Sequence, residues 1–313
     1  MASLFIIGGT GFFGKSILDS YKRQLLTAWN IDKIFIMSRH PDEFKRNYPE
    51  LISKEIEFIE ADISSVDSLP VTDFVIHAAA STDSSRYLLH NEIEKKNIIG
   101  GTLNYCRLAE KFHKNSKILF CSSGAVYGFQ DENNRFLRED SILGDLTKLN
   151  SIKQSYAIAK RDSEAAIQKL GAKNINVVIA RCFSFIGRYL PRNQHFAIGN
   201  FIEDGVKGND IEVKADRLVY RSYMHSDDLV DWLFTLAVHS NPSCPIYNVG
   251  SDEAVEIRSL ANIISKIYNV NIKISEFDNS KIDRYIPSLE KVKKELNLNN
   301  KFGLRESILR TIE

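Results

Sequence analysis

The stretch that most constrains this chain lies at residues 4–14, LFIIGGTGFFG. The apolar run Leu4-Phe5-Ile6-Ile7 predicts a strand buried on both faces, as in a parallel sheet. It breaks directly into Gly8, Gly9, Gly11 and Gly14. Lys15-Ser16-Ile17-Leu18 follow, then Tyr21, Leu25 and Leu26, at helical spacing. Strand, glycine turn and helix together seat a dinucleotide diphosphate on a helix N-terminus, where backbone N–H groups and the helix dipole favour negative charge. In this reading Gly8 permits the tight turn, Gly11 lets the backbone approach the phosphates, and Gly14 lets helix and strand pack closely. Thr10, Phe12 and Phe13 complete the candidate cofactor loop.

The 313 residues suffice for one or two domains with a large core. A net charge of +1 points to no nucleic-acid or membrane partner. No apolar stretch approaches the roughly 18 residues of a membrane span. The opening strand is too short and glycine-rich for a signal peptide. The four cysteines, Cys106, Cys121, Cys182 and Cys244, are widely spaced and form no metal-ligand pair. They are expected to be reduced thiols of a cytoplasmic protein, with no metal.

A second strand, Lys33-Ile34-Phe35-Ile36-Met37, ends at Ser38-Arg39. An acid here would bond a ribose 2′-hydroxyl and repel a 2′-phosphate. A hydroxyl and a guanidinium suit the phosphate instead, so NADP(H) is favoured and NAD(H) is the alternative. Asp62-Ile63 follow a third strand, and Asp62 suits either an adenine amino group or a helix N-cap. The strand Asp73-Phe74-Val75-Ile76-His77 leads into Ala78-Ala79-Ala80, small enough for a ring or ribose to lie on the backbone or for tight strand–helix packing. His77 reads as a core histidine. Residues 92–114 look helical, with Ile93, Ile98, Leu103, Cys106, Leu108, Ala109 and Phe112 as candidate buried positions. The strand Lys117-Ile118-Leu119-Phe120-Cys121 runs into Ser122-Ser123, at the end of the sheet where open α/β folds bind ligands. Tyr156 and Lys160, four apart, share one helix face. An ammonium beside a phenol favours the phenolate and lowers a pKa that is otherwise about 10.

Together these motifs resemble the extended short-chain dehydrogenase/reductase family, within it the nucleotide-sugar epimerases, dehydratases and reductases. Gly8, Gly11 and Gly14 match its Gly-x-x-Gly-x-x-Gly turn, Asp62-Ile63 its adenine-side Asp, and Ala78-Ala79-Ala80 its small-residue stretch. Ser123, Tyr156 and Lys160 match its catalytic Ser/Thr, Tyr and Lys, and the match also makes Tyr156 and Lys160 candidate cofactor residues, with Lys160 bonding the nicotinamide ribose. Arg181-Cys182-Phe183-Ser184-Phe185-Ile186-Gly187 and the segment from Arg221 to Leu229 resemble later family motifs. Tyr247-Asn248-Val249-Gly250 resembles a late strand of the sheet. The resemblance implies a doubly wound parallel sheet with a smaller, interleaved C-terminal substrate domain. The Rossmann part would take residues 1–181, with returns at about 221–250, and the substrate domain 182–220 and 251–313. It also implies a homodimer through the helices of residues 92–114 and of Tyr156. Ser81, Thr82, Ser123, Ser184 and Arg221 are the candidate substrate residues, with Arg284 a second diphosphate clamp.

The departures from the pattern narrow the chemistry. Sugar dehydratases of the family follow the catalytic Thr with Asp-Glu, the decarboxylases carry a Glu at the position of Ala125, and the GDP-fucose synthase type has a cysteine there. Here Ser123 is followed by Gly124 and Ala125, which have no acid–base capacity. The reading favoured is NADPH-dependent reduction of the 4-keto group of a nucleotide-linked 6-deoxy hexose. The alternatives are a 4-epimerase with tightly held NAD and a non-catalytic NADP(H)-binding protein.

Overall fold

The computed structural model describes residues 1–80, 84–130, 134–192, 194 and 196–312, and the side chains of 84–88 are outside that description. Ser81 and Thr82 therefore lie outside the described residues. The chain divides into two compact units. The first comprises 1–126, 146–182 and 230–247, the second 127–145, 183–229 and 248–312.

The first unit is built on a parallel sheet. Strands β1 (Ala2–Ile7), β2 (Ile31–Ser38), β3 (Ile56–Glu60), β4 (Phe74–His77), β5 (Lys117–Ser123) and β6 (Val177–Cys182) are joined by the strand Ile246–Val249. Their spatial order is 246–249, β6, β5, β4, β1, β2, β3. The order reverses between β1 and β4, so the ligand crevice of a doubly wound sheet falls at the C-terminal ends of these two strands. This is the α/β fold the sequence predicts.

The run of apolar residues in β1 has its reason in this placement. Leu4, Phe5, Ile6 and Ile7 are all buried, because β1 lies mid-sheet with both faces covered. Phe5 and Ile7 join Val75, Ile118, Phe120 and Ile179 in a core completed by Tyr105 and Leu108 of α3 (Ser84–Phe112) and Ile167 and Leu170 of α4 (Ser151–Gly171). Phe234, on the helix Ser226–Val238, packs against Trp29 and Phe74.

Helix α3 starts earlier than the spacing suggests and contains a non-helical residue, His90, at φ −145° and ψ 41°. Its buried stripe runs Ile98, Thr102, Tyr105, Ala109. Two expected core residues, Ile93 and Leu103, are instead exposed, each at 55%. They sit off the stripe, whereas Tyr105 lies on it and is fully buried.

The second unit carries a three-stranded sheet in which Arg217–Arg221 pairs antiparallel with Val255–Glu256 and parallel with Asp278–Tyr285. Parallel pairs 211–213 with 272–274 and 185–186 with 224–225 flank it. Buried Asn248 is a hub: its side chain accepts from Tyr127 Oη and donates to the carbonyls of Leu137 and Ser288. The segment 127–145 belongs to this unit through such bonds.

Candidate functional site

The glycine turn follows β1 at the point where strand order reverses. Gly8 has φ +79°, and a Cβ there would stand 2.7 Å from Ala79 Cα. The first small residue stretch and the turn are thus pressed together, with Ala78 N donating to Ile7 O. Gly11 is the N-cap of α1 (Phe12–Lys22), whose first turn bonds Lys15 N–H to Gly11 O. Gly11 is exposed, and a Cβ on it would meet nothing of the chain closer than Gly8 O at 3.5 Å. Nothing in the protein's own packing requires glycine at that position. A bare, exposed helix N-cap with no acidic residue in the first turn fits a dinucleotide diphosphate.

At the end of β2, Thr10 Oγ1 and Ser38 Oγ are 3.0 Å apart, which brings the glycine turn and the second strand end together. Arg39 is exposed, its guanidinium 3.9 Å from the Asp62 carboxylate. Asp62 accepts from Ser64 N and Ser64 Oγ at 2.8 and 2.7 Å. Partial burial opposes its ionisation, but the two Ser64 bonds and Arg39 prevail and hold its carboxyl below the usual range. Asp62 thus caps a turn rather than a helix, since among the described residues no helix lies between β3 and β4. Asn104 of α3 ties this loop down by donating to the carbonyls of Ile63 and Val66, a contact between distant segments that no local pattern signals.

At the end of β5, Ser123 is buried at 9% exposure, and its Oγ accepts from Ala125 N at 3.1 Å. Lys160 is buried on α4 and donates to Cys121 O at 2.8 Å, two residues before Ser123. Its Nζ lies 5.1 Å from the Phe120 ring centroid and 5.9 Å from that of Tyr156. Burial lowers the Lys160 pKa from its ordinary value, opposed by Cys121, Cys182 and Glu164. Tyr156 packs against the buried pair Ile98 and Ala159, and Ala80, the last of the small residues after β4, packs against the same pair. Helix α4 reaches this position capped by Asn150, whose side chain accepts from Lys153 N. His77 is fully buried between Tyr105 and Phe120, and burial, aided by Lys160, pushes its pKa down to about 3. It is a neutral core histidine, as its strand position suggested.

The remaining candidates belong to the second unit. Arg221 makes a bidentate pair with Asp283, both bonds 3.1 Å, and also donates to Tyr220 O. The Arg284 guanidinium lies 4.3 Å from the Tyr220 ring centroid. Ser184 O accepts from Met224 N. Sequence reasoning missed one cluster of the first unit. Buried Glu164 accepts from Ser122 Oγ and from both Nε and Nη2 of buried Arg181. Its signal was present: Glu164 extends the Tyr156, Lys160 stripe by one more helical turn.

The family model described as the NAD dependent epimerase/dehydratase family matches residues 4–250. UDP-glucuronic acid decarboxylase 1 of Arabidopsis thaliana is 24% identical over 99% of this chain and 68% of its own length. UDP-glucose 4-epimerase of Mycoplasma genitalium is 28% identical over 84% of this chain and 80% of its own. Among solved structures, the UDP-glucose 4-epimerase of Thermotoga maritima with UDP-glucose superposes with a TM-score of 0.81 at 19% identity, covering 99% of this chain and 97% of that one. A dTDP-glucose 4,6-dehydratase from Streptomyces venezuelae with NAD bound gives 0.80 at 19%, covering 99% and 95%. The matched span runs from the first residue of the opening apolar run through the strand Ile246–Val249, and the chain is a member of the NAD dependent epimerase/dehydratase family, extended short-chain dehydrogenases/reductases that act on nucleotide sugars.

Proposed function

We propose that this protein carries out hydride exchange at carbon 4 of a nucleotide-linked hexose, as an NADPH-dependent 4-ketoreductase acting on a 6-deoxy sugar. The observation that carries the reading is the end of β5. Lys160 is fixed to Cys121 O beside the Tyr156 ring, and the residues after Ser123 are Gly124 and Ala125. Bound NADPH supplies the hydride. Tyr156 gives its phenolic proton to the alkoxide that forms on the sugar. Ser123 donates a hydrogen bond to the same oxygen, and the Lys160 ammonium stabilises the tyrosinate left behind. Positions 124 and 125 offer neither carboxylate nor thiol, so the chemistry stops at hydride and proton transfer. Dehydration or decarboxylation would need an acid–base partner there, although decarboxylases are among the relatives.

Gly8, Thr10, Gly11, Phe12, Phe13, Gly14, Asp62, Ile63 and Ala78-Ala79-Ala80 would hold the dinucleotide, with Ser38 and Arg39 on a 2′-phosphate. Ser184 and Arg221 are proposed for the substrate, with Arg221 turning from Asp283 to the diphosphate. A homodimer through α3 and α4 would cover the exposed Ile93 and Leu103 of α3.

The second reading is a 4-epimerase using the same three side chains, with NAD retained through the cycle. It is favoured by the 28% identity to an epimerase. One experiment separates the two: a cofactor-consumption assay over 4-keto and 4-hydroxy nucleotide sugars with NADPH and NADH. Net NADPH oxidation with a 4-keto sugar, lost in Tyr156→Phe while cofactor still binds, supports the reductase. Interconversion of 4-hydroxy sugars without added cofactor, with stoichiometric NAD released on denaturation, replaces it with the epimerase. Activity retained by Tyr156→Phe removes both.

A further inference from the structure

The Glu164 cluster lies behind the candidate site rather than in it. Ser122 and Arg181 are directly paired residues of adjacent strands β5 and β6. The Glu164 carboxylate, from α4, bridges them: Ser122 Oγ donates to Oε1 at 2.5 Å, Arg181 Nε to Oε1 at 3.1 Å, and Arg181 Nη2 to Oε2 at 2.9 Å. All three side chains are buried. One helical turn earlier, Lys160 bonds the carbonyl of Cys121. Successive turns of α4 are therefore bonded to successive residues of β5, Cys121 and Ser122, and the next residue is Ser123.

Apolar side chains would hold two strands and a helix together at least as well, since replacing a buried ion pair by packed hydrophobes is often neutral or stabilising. What the ionic bridge adds is direction. A carboxylate with a bidentate guanidinium and a hydroxyl accepts only a narrow range of orientations, so it fixes both the rotation and the register of α4 over β5. We propose that Glu164, gripping Ser122 and Arg181, is a positioning residue that holds Lys160 and Tyr156 of α4 in line with Ser123. The inference rests on the hydride-transfer reading of those three residues.

The titratable groups around Tyr156 and Lys160 leave one clear readout. His77 on β4 is neutral, its pKa down at about 3 through burial. Burial pushes the Cys182 thiol on β6 and the Tyr105 phenol on α3 well up. Cys121 on β5, Glu92 on α3, which accepts from Ser155 and pairs with Lys95, and the Glu164–Arg181 pair belong to the same packed elements. If the clamp loosens, the ammonium drifts from the phenol, its support for the phenolate weakens, and Tyr156 titrates at higher pH.

The test is Ser122→Ala, which removes one bond of the clamp and keeps the Glu164–Arg181 pair. The expected result is a folded protein with cofactor affinity and KM near wild type, kcat lower by about tenfold, and the pH limb of sugar oxidation moved to higher pH. Glu164→Gln, combined with Ser122→Ala in a double-mutant cycle, should be strongly non-additive in kcat if both act through one contact. A folded Ser122→Ala with wild-type kcat and an unmoved limb overturns the proposal, as does a loss confined to thermal stability. Failure of the underlying reading shows separately, as no hydride transfer with any sugar or as full activity in Tyr156→Phe. The clamp is then judged without sugar, by ultraviolet titration of the Tyr156 phenol as the difference between each protein and its Tyr156→Phe counterpart. An alkaline shift in Ser122→Ala sustains the clamp, and superimposable titrations end it.

Discussion

At the residue scale, the glycine turn separates what the fold requires from what a ligand requires. A Cβ on Gly14 would lie 1.9 Å from Gly9 O, inside the turn's own backbone, so nothing larger than glycine fits. Gly11 faces outward, and a Cβ there meets only ordinary contact at 3.5 Å. Gly14→Ala is therefore expected to give no soluble folded protein. Gly11→Ala should fold, losing about 1 kcal/mol because alanine is a poor N-cap, yet bind NAD(P) at least about tenfold more weakly because its methyl occupies the diphosphate's approach. Thermal melting and a cofactor titration on the same preparation check both halves. Unchanged cofactor affinity in Gly11→Ala would move the diphosphate away from this turn. The three glycines were legible in the sequence as one motif with a separate role for each; what the sequence withheld is which backbone lies opposite them, Ala79 for Gly8 and Gly9 for Gly14.

At the element scale, α4 is the part whose meaning was most legible and whose support was least so. Tyr156 and Lys160 share a face by spacing alone, and the structure keeps that face against β5 through Lys160. The cap at Asn150 and the bridge at Glu164 went unread. The first depends on one side chain's rotamer, the second on a contact with Arg181, seventeen positions away in sequence. Helix α3 shows the opposite error. Its apolar residues are divided between the stripe facing α4 and the core and an exposed face, a division that hydrophobicity alone does not reveal. Removing the cap tests how far α4 is held from its start. Asn150→Ala deletes the bond to Lys153 N and should cost about 1 kcal/mol of stability. Tyr156 lies in the second turn, so fraying should reach it, and amide hydrogen exchange in residues 151–156 should quicken while 160–170 stay protected. Uniform exchange along α4 would show that packing alone fixes the helix.

At the scale of the whole molecule, apolar runs in the chain predicted β1 to β5 and the family resemblance the strand Ile246–Val249, but neither β6 nor how the remaining segments divide was legible. Residues 127–145, between Tyr127 and Asp145, join the second unit through Asn248, and such a long-range hydrogen bond leaves no local trace. The first unit can be followed by itself, because both tryptophans, Trp29 and Trp232, belong to it. So does His77, whose pKa falls from about 6.5 to about 3 on folding as burial disfavours its charged form. Between these values the unfolded chain binds a proton that the folded protein does not, so the stabilisation is complete above the unfolded pKa and is lost as pH falls through that window. His113, lowered by burial despite its bond to Pro70 O, acts in the same direction. For His77 the full window is worth about 5 kcal/mol as a ceiling. Urea midpoints read by tryptophan fluorescence should therefore drop steeply from pH 7 to pH 4, above the range in which Asp278, held at about 2, begins to contribute. His77→Phe keeps an aromatic ring beside Tyr105 and Phe120 and removes the titration, so most of that slope should vanish in the variant. A slope that survives intact in His77→Phe would mean that the imidazole charges inside the folded unit, and that His77 has a proton partner within the core.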